Sequence, residues 1–485
     1  MGKNSKSLKI NFIMNAILNM SGFLFPLITF PYVSRVLLPV GTGRVSFANS
    51  VVTYFVLISQ LGIPTYGIRA CAVVRDNEVK LKKTVYELFI INAVMSFFAY
   101  VVFFIALASI PRLRADKNLF LITSTLILFN TIGVEWLYKA LEQYTYITIR
   151  SMILKLIALV AMFVLVHDVN DYVIYGGISI FAASASNVFN FIRLKKIIGT
   201  KKVKGLNFKK HINSILTFFI ISCATTIYTN LDNVMLGFMK DDIDVGYYNA
   251  ATKIKNILVS IVTSLGTVLM PRTSYYIQQE MWDEFYKLSK KAIKFVFLVA
   301  SSMMLYFMIY AKEGVVFLSG VAYEGAVLPM IIVMPTLLFI GLTNIMGIQM
   351  LIPMGKEKAV MISTFAGAIV DLILNTIFIP HFGAEGAAIG TLVAELVVLI
   401  VQLIYLKDDV VYLYSNQEYI KIVVALIFAT IFAYIVKIFV RGIFLKLVVS
   451  ALLFFSIYLM ILYIMKENVV TENVNRILGK VLKRK

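Results

Sequence analysis

Residues 387–405 read AAIGTLVAELVVLIVQLIY, nineteen residues carrying one charge, Glu395. At about 1.5 Å rise per residue a helix of this length covers about 28 Å, close to the roughly 30 Å of a bilayer's hydrocarbon core. A membrane strand needs only about 9–11 residues of alternating character, so length decides for a helix. Thirteen further blocks read the same way: 10–30, 45–63, 85–110, 119–138, 152–166, 172–192, 212–239, 247–270, 292–310, 327–350, 359–379, 420–439 and 443–464. The expected fold is therefore an all-α membrane protein of about fourteen transmembrane helices.

Composition agrees. Of 485 residues, 60% are hydrophobic and 15% charged, against about 45–50% and about 25% in a soluble chain. The net charge of +20 would point to nucleic acid in a soluble protein. Here the cations sit in short loops between apolar blocks, so they read as a topology signal and no nucleic-acid partner is expected. Two cysteines, Cys71 and Cys223, and three histidines have no ligand or disulfide spacing, so no metal site is expected. The phosphate-cradling pattern Gly-x4-Gly-Lys-Ser/Thr is absent from the sequence, which argues against ATP hydrolysis by this chain.

An even number of spans puts both termini on one side. With the termini inside, and span-end residues counted with the adjoining loop, inner segments hold 33 Lys and Arg and outer loops 10. Cytoplasmic loops carry the excess of positive charge, so both termini are expected in the cytoplasm. Lys437, Arg441 and Lys446, around the last outer loop, run against this rule. The most basic segment, 193–210, separates the sixth span from the seventh. It divides the chain into an N-terminal lobe (1–198), a basic cytoplasmic linker (199–211), a C-terminal lobe (212–407), and a final helix pair with a basic tail (408–485).

The two sets of six spans repeat weakly. Asp76-x3-Lys80-Leu81-x-Lys83 matches Asp283-x3-Lys287-Leu288-x-Lys290, Leu61-Gly62 matches Leu265-Gly266, and His167 and Gly176 match His381 and Gly390. The offsets are nearly constant, between 204 and 214. An even number of helices per repeat implies a pseudo-twofold along the membrane normal with a cavity between two bundles, an architecture typical of alternating-access transporters.

A charge at the centre of a membrane helix costs about 2.5–3.5 kcal/mol on insertion scales, so those retained face a watery cavity or a partner. Arg35, Arg44 and Arg69 lie near span ends, and Lys253 and Lys255 near the start of the eighth span. As cavity residues they would suit an anionic group, arginine giving bidentate contact to phosphate; the plain alternative is snorkelling to the interface. Asp232, Asp371, Glu135 and Glu395 are candidates for ion coupling or cavity lining. The plain alternative is pairing with a cation, as Glu135 and Lys139 can do four residues apart. Asn11, Asn15 and Asn19 form a polar stripe on the first span, lining a cavity or bonding neighbouring helices.

Two stretches carry a family resemblance. The first is Phe30-Pro31-Tyr32-Val33-Ser34-Arg35, continuing through Gly43-x-Val45-Ser46-Phe47-Ala48 to Leu61-Gly62-Ile63-Pro64-Thr65-Tyr66-Gly67-Ile68-Arg69. The second is Glu135-Trp136-Leu137-Tyr138-Lys139-Ala140-Leu141-Glu142. Together they resemble Wzx-type polysaccharide repeat-unit flippases of the multidrug/oligosaccharidyl-lipid/polysaccharide exporter superfamily. Lys139-Ala140 stands where that family usually has Gln-Gly. The resemblance implies two six-helix lobes plus a C-terminal pair and a cationic cavity. It implies movement of undecaprenyl-diphosphate-linked oligosaccharide across a bacterial cytoplasmic membrane, for O-antigen, capsule, exopolysaccharide or teichoic acid synthesis. It also implies no cofactor, a coupling sodium or proton gradient, and neighbours among polysaccharide polymerase and assembly proteins.

Three rivals stand beside this reading: a cation-coupled drug antiporter of the same superfamily, a non-transporting assembly protein, and a polymerase. The polymerase is disfavoured by outer loops of only about 16–18 residues, short for a catalytic loop. The charge asymmetry makes a direct prediction. Green fluorescent protein fused after Lys485 will fluoresce, alkaline phosphatase at the same point will be inactive, and a phosphatase insertion within 199–211 will be inactive too.

Overall fold

A computed structural model describes residues 2–199, 205–414 and 419–482. Among these residues no strand occurs. The helices run α1 (Gly2–Gln60), α2 (Ile63–Val74), α3 (Glu78–Ser109), α4 (Pro111–Ala115), α5 (Lys117–Gly133), α6 (Glu135–Ala140), α7 (Tyr144–Leu165), α8 (Tyr172–Ser184), α9 (Ser186–Ile198) and α10 (Lys209–Met239). They continue as α11 (Asp242–Gln278), α12 (Trp282–Ile309), α13 (Ala311–Ser319), α14 (Val327–Val333), α15 (Thr336–Thr343), a π-helix (Asn344–Leu351), α16 (Glu357–Phe382), α17 (Ala384–Tyr405), α18 (Lys407–Tyr414), α19 (Tyr419–Phe439), α20 (Ile443–Ile464) and α21 (Asn468–Leu482). In hydrocarbon no water can satisfy a backbone amide, and only helices and closed barrels meet that demand.

Eleven stretches of the described residues are long and apolar enough to cross a membrane, or up to thirteen if each of two bent pairs is one span. One stretch, Ile13–Val74, has 62 residues. Sixty-two residues of unbroken helix would run about 93 Å, some three times the hydrocarbon thickness; the stretch takes in residues 13–30 of the first expected span and all of the second. It breaks at Leu38, whose φ of 56° and ψ of 178° are not helical, and again at Leu61–Gly62, between α1 and α2. Leu38 precedes Pro39, and a residue before proline is pushed out of the helical region by the pyrrolidine ring. The bent pairs are Asp242–Ser264 with Leu269–Gln278, at 42°, and Val321–Val333 with Thr336–Leu351, at 46°. Pro335 at the second break accounts for that bend.

Large apolar side chains lie open along the helices, for instance Phe97, Phe98, Phe104 and Ile105 on α3 and Leu452, Leu459 and Met460 on α20. Apolar surface of that extent belongs against lipid. The chain is a multi-pass membrane protein.

Contacts divide the chain into two compact units, Met1–Gly246 and Tyr247–Lys485, the division falling within α11. In the first unit, α2 opens with a proline in its first turn, where a missing N–H costs nothing, and α3 is capped by Asn77, which accepts from Lys80 N at 3.0 Å. One core gathers Ile63, Cys71, Val85, Leu88, Trp136, Leu137 and Tyr138. At its centre Gly67 lies against the Trp136 indole, where an added methyl would come within 2.8 Å of the ring. The two stretches that carry the family resemblance thus pack onto each other.

The second unit contains the α16–α17 hairpin, turned at Gly383 (φ 56°, ψ −126°), and the α19–α20 hairpin packed on α12. The latter is fastened by tyrosines. Tyr310 Oη donates to the Ala433 carbonyl at 2.5 Å, Tyr306 Oη to Leu447 at 2.9 Å, and Tyr458 Oη to Leu298 at 3.0 Å. Lys437 Nζ donates to the Ile309 carbonyl at 2.6 Å, and Lys446 lies 3.4 Å from Glu313. Two of the three cations that run against the charge rule are therefore bound into the packing of this unit.

Beyond α20, Glu467 is fully buried and lies 2.7 Å from Lys294 Nζ. It also accepts from the N–H groups of Val469 and Val470. Burial pushes its carboxyl up, but the Lys294 hydrogen bond and the two amides outweigh it and hold the carboxyl below its ordinary range. Because the folded group ionises at lower pH than the unfolded one, its stabilisation is complete above about pH 4.5 and fades as pH falls through the lowered value. Glu467→Gln leaves the Lys294 ammonium buried without its carboxylate and is expected to cost about 3 kcal/mol. Thermal unfolding of the purified protein at pH 7 checks this.

Candidate functional site

The residues singled out in the sequence fall into both units, and each unit has its own charged or polar cluster. In the first unit Arg35 is exposed and donates to the Pro31 carbonyl one turn earlier. Arg69 is also exposed. Asn11 and Asn15 are half-buried on α1; the side chain of Asn19 lies outside the described residues. Glu135 pairs with Lys139 across one helical turn at 2.8 Å, the pairing their spacing allows, and Lys155 Nζ donates to Ser21 Oγ at 2.8 Å. Asp232 is buried on α10.

Arg44 is set differently from the other two arginines. Its Nε donates to Asp242 Oδ2 at 3.2 Å, and Nη1 lies 3.8 Å from Asp116. Arg112 joins the same group: its Nη2 donates to Asp242, its Nε donates to the Gly237 carbonyl at 2.9 Å, and its Nη1 lies 3.8 Å from Asp116. Tyr172 Oη donates to Asp116 at 2.9 Å. Two guanidinium groups and two carboxylates thus balance in charge. Arg44 is engaged here as a partner of carboxylates.

Sequence reasoning passed over Glu87. It lies in the apolar block of α3 and is fully buried. Its Oε1 accepts from Asn207 N at 2.6 Å, and its Oε2 accepts from Lys210 Nζ at 2.7 Å and His211 Nε2 at 2.9 Å. Tyr66 Oη lies 2.8 Å from His211 Nδ1. With Nε2–H assigned as the donor to Glu87, Nδ1 accepts from Tyr66. The available signal was the lone carboxylate in an otherwise apolar run.

In the second unit, Asp371 and Asn375 are one turn apart on α16 and fully or nearly fully buried, Asp371 at 1% exposure. Both face Gly390 of α17. A methyl added at Gly390 would sit 2.2 Å from Asn375 Oδ1 and 3.0 Å from Asp371 Oδ1, so the glycine makes room for these two side chains. The next residue, Thr391, bonds Tyr248 of α11 through Oγ1 and Oη at 2.8 Å. Glu395 lies one turn further along α17 and is buried. On α11, Lys255 is buried and Lys253 half-buried. Among the described residues no three His, Cys, Asp or Glu side chains gather as a metal site would require. Asp371 and the Asn375 amide oxygen converge on Gly390, and carboxylate and amide oxygens are hard donors of the kind that take alkali or alkaline-earth cations.

A profile of the family described as "Polysaccharide biosynthesis protein" matches residues 8–277, and the MatE profile matches residues 218–377. A protein of Escherichia coli (strain K12) named "Putative O-antigen transporter" is 25% identical over 418 residues, covering 84% of this chain and 99% of its own length. A solved structure of the lipid II flippase MurJ in an inward closed conformation superposes with a TM-score of 0.74 at 16% identity, over 95% of this chain and 99% of that one. An inward-facing multidrug resistance MATE family transporter of the MOP superfamily superposes with a TM-score of 0.60 at 13% identity, over 84% and 99%. These findings agree with the resemblance to Wzx-type flippases read from residues 30–69 and 135–142.

The space at Gly390 gives a test of the second cluster. Gly390→Ala forces Asn375 to move and is expected to destabilise the protein by about 1–3 kcal/mol, the usual cost of overpacking. The thermal midpoint in detergent reads it, and Asn375→Ala in the same chain should recover part of the loss.

Proposed function

This chain belongs to the polysaccharide biosynthesis protein family, and on that premise we propose that it is a flippase for undecaprenyl-diphosphate-linked oligosaccharide. It works by alternating access in a bacterial cytoplasmic membrane with both termini in the cytoplasm. The observation that carries this reading is the agreement of three likenesses: the family match over 8–277, a relative named for O-antigen transport that the chain covers almost end to end, and the fold of a lipid II flippase. The product would serve O-antigen, capsule, exopolysaccharide or teichoic acid assembly, where polymerase and assembly proteins would receive it. The six-helix lobes at 1–198 and 212–407, joined by the 199–211 linker, are the expected moving parts.

The chemistry follows from the charged residues. A diphosphate crossing low dielectric needs cations to replace its hydration shell, since an unpaired anion there costs many kcal/mol. Arg35, Arg69, Lys253 and Lys255 supply them, guanidinium groups gripping two phosphate oxygens at once. Arg44, already bound to two carboxylates, serves the substrate only after those pairs open. The half-buried Asn11 and Asn15 offer hydrogen bonds to sugar hydroxyls. The coupling ion is sodium or a proton, held at Asp371 with Asn375 and Thr391, with Asp232, Glu135 and Glu395 as further carboxylates able to carry charge.

The MatE match over 218–377 favours one second reading, a cation-coupled drug antiporter, which a dye-efflux assay separates. The deciding test uses purified protein in liposomes with a fluorescent undecaprenyl-diphosphate oligosaccharide, leaflet exposure being read by quenching. Wild-type protein should move the lipid, faster under an imposed sodium or proton gradient. Arg35→Glu or Lys253→Glu should slow it by at least about 10-fold, the effect of losing one charge-assisted hydrogen bond, and Asp371→Asn should remove the response to the gradient. Folded protein that moves none of several glycans but exports dyes would overturn the flippase.

A further inference from the structure

An open groove of about 420 Å³ runs between α12, α20 and α21, all within the second unit. Side chains from 295–303 of α12 and 455–462 of α20 line it, together with Val469, Val470 and Val474 of α21. Only three lining residues are polar, and each already gives a hydrogen to a main-chain carbonyl of these helices. Ser302 Oγ donates to Val299 at 3.0 Å, Tyr458 Oη to Leu298 at 3.0 Å, and Asn473 Nδ2 to Val469 at 2.8 Å. What the groove presents to an occupant is therefore hydrocarbon, in a volume within the range of about 300–1,000 Å³ common for ligand sites.

Both α12 and α20 are long and apolar enough to cross a membrane, and the groove lies toward the ends expected on the cytoplasmic side. From 295 to 303 a helix rises about 12 Å, close to one leaflet's share of the roughly 30 Å hydrocarbon core. Helix α21 is fixed at this level. Glu467, just before it, takes Lys294 and the N–H groups of Val469 and Val470, Glu472 pairs with Lys291 of α12, and Tyr463 Oη donates to Asn475 at 3.3 Å. Its sequence then turns strongly basic. Residues 476–485 carry five cations, Arg476, Lys480, Lys483, Arg484 and Lys485, and no acid, with apolar residues recurring at helical spacing at 474, 477, 478 and 481. Arg476 is exposed. A basic amphipathic helix of this kind suits the plane between head groups and acyl chains.

We propose that the groove between α12, α20 and α21 holds an acyl chain of an anionic phospholipid of the inner leaflet, and that the basic stretch 476–485 holds its phosphate. This goes beyond the flippase reading and takes from it only the cytoplasmic side of the C-terminus. An acyl chain gains little by leaving one apolar setting for another, so the groove fixes where the chain sits and the cations choose the head group. A zwitterionic head group cancels its own phosphate with an ammonium. An anionic one keeps its charge and is drawn to clustered lysines and arginines beside a membrane span.

The test measures lipid binding without transport, so its failure and failure of the flippase reading are distinguishable. The purified full chain in detergent is given equal amounts of phosphatidylglycerol and phosphatidylcholine, and native mass spectrometry counts what stays bound. Wild-type protein should retain one phosphatidylglycerol, favoured over phosphatidylcholine at least about 10-fold. Arg476→Gln, Lys480→Gln, Lys483→Gln, Arg484→Gln and Lys485→Gln together should bring that ratio close to one while a lipid is still held. Val299→Trp and Leu459→Trp, at a half-buried and an exposed position of the groove on different helices, should each fill it and lower retention of either lipid at least about 10-fold, with the thermal midpoint reporting that the chain is folded. Equal retention of the two lipids by wild-type protein would overturn the proposal, as would selectivity that survives the five substitutions or retention unchanged in both folded tryptophan variants. So would undecaprenyl phosphate displacing phosphatidylglycerol at equal concentration, or a lipid-free dimer, which would give the groove to the carried lipid or to a second copy of the chain.

Discussion

The cost of a bare charge in a water-excluded bundle governs how this protein is put together. Three carboxylates show this, each held by partners that the fold brings to it. Glu87 is reached by Asn207, Lys210 and His211, Asp242 by Arg44 and Arg112, and Glu467 by Lys294 and two backbone amides. Apolar burial cannot select one packing of lipid-facing helices over another, because lipid tails are as apolar as leucine. Ion pairs and hydrogen bonds can, and they sit where different helices must meet in one register.

Small residues make the complementary contribution. Gly67 admits the Trp136 ring and Gly390 admits Asn375 and Asp371, so a bulky aromatic and a polar cluster lodge against a neighbouring helix that any side chain would have held off. In the first unit this is how two motifs separated by some seventy residues of sequence become one packed object.

Much of the fold was legible because hydrophobic length is a strong local signal: a block such as 387–405 can hardly be anything but a spanning helix, and α17 occupies it. The sequence reading separated the first two spans, and the backbone leaves the helical region between them at Leu38. Pro39 was visible, but whether a proline ends a helix or only bends it depends on packing. The candidate site was legible in residue type and less so in partnership. Glu135 and Lys139 could be paired from spacing alone. Arg44 could not be given Asp242, 198 positions away, nor Glu87 its histidine, 124 positions away. Lys437 and Lys446 find their partners, the Ile309 carbonyl and Glu313, on α12 and α13, which a charge count does not see. Spacing reports neighbours within a helix, and ion pairs between helices leave no such trace.

The tyrosine fastening of the last hairpin has an evolutionary corollary. Tyr310, Tyr306 and Tyr458 all donate to main-chain carbonyls, of Ala433, Leu447 and Leu298. A carbonyl is present whatever residue carries it, so α19, α20 and α12 can drift in side-chain identity at the receiving positions and keep their attachment. Length is another matter. Inserting or deleting one residue in α19 turns every later carbonyl by about 100° around the helix axis and carries Ala433 away from its donor. Relatives should therefore tolerate wide substitution in this hairpin while conserving its spacing, a pattern in which gaps are rarer than mismatches.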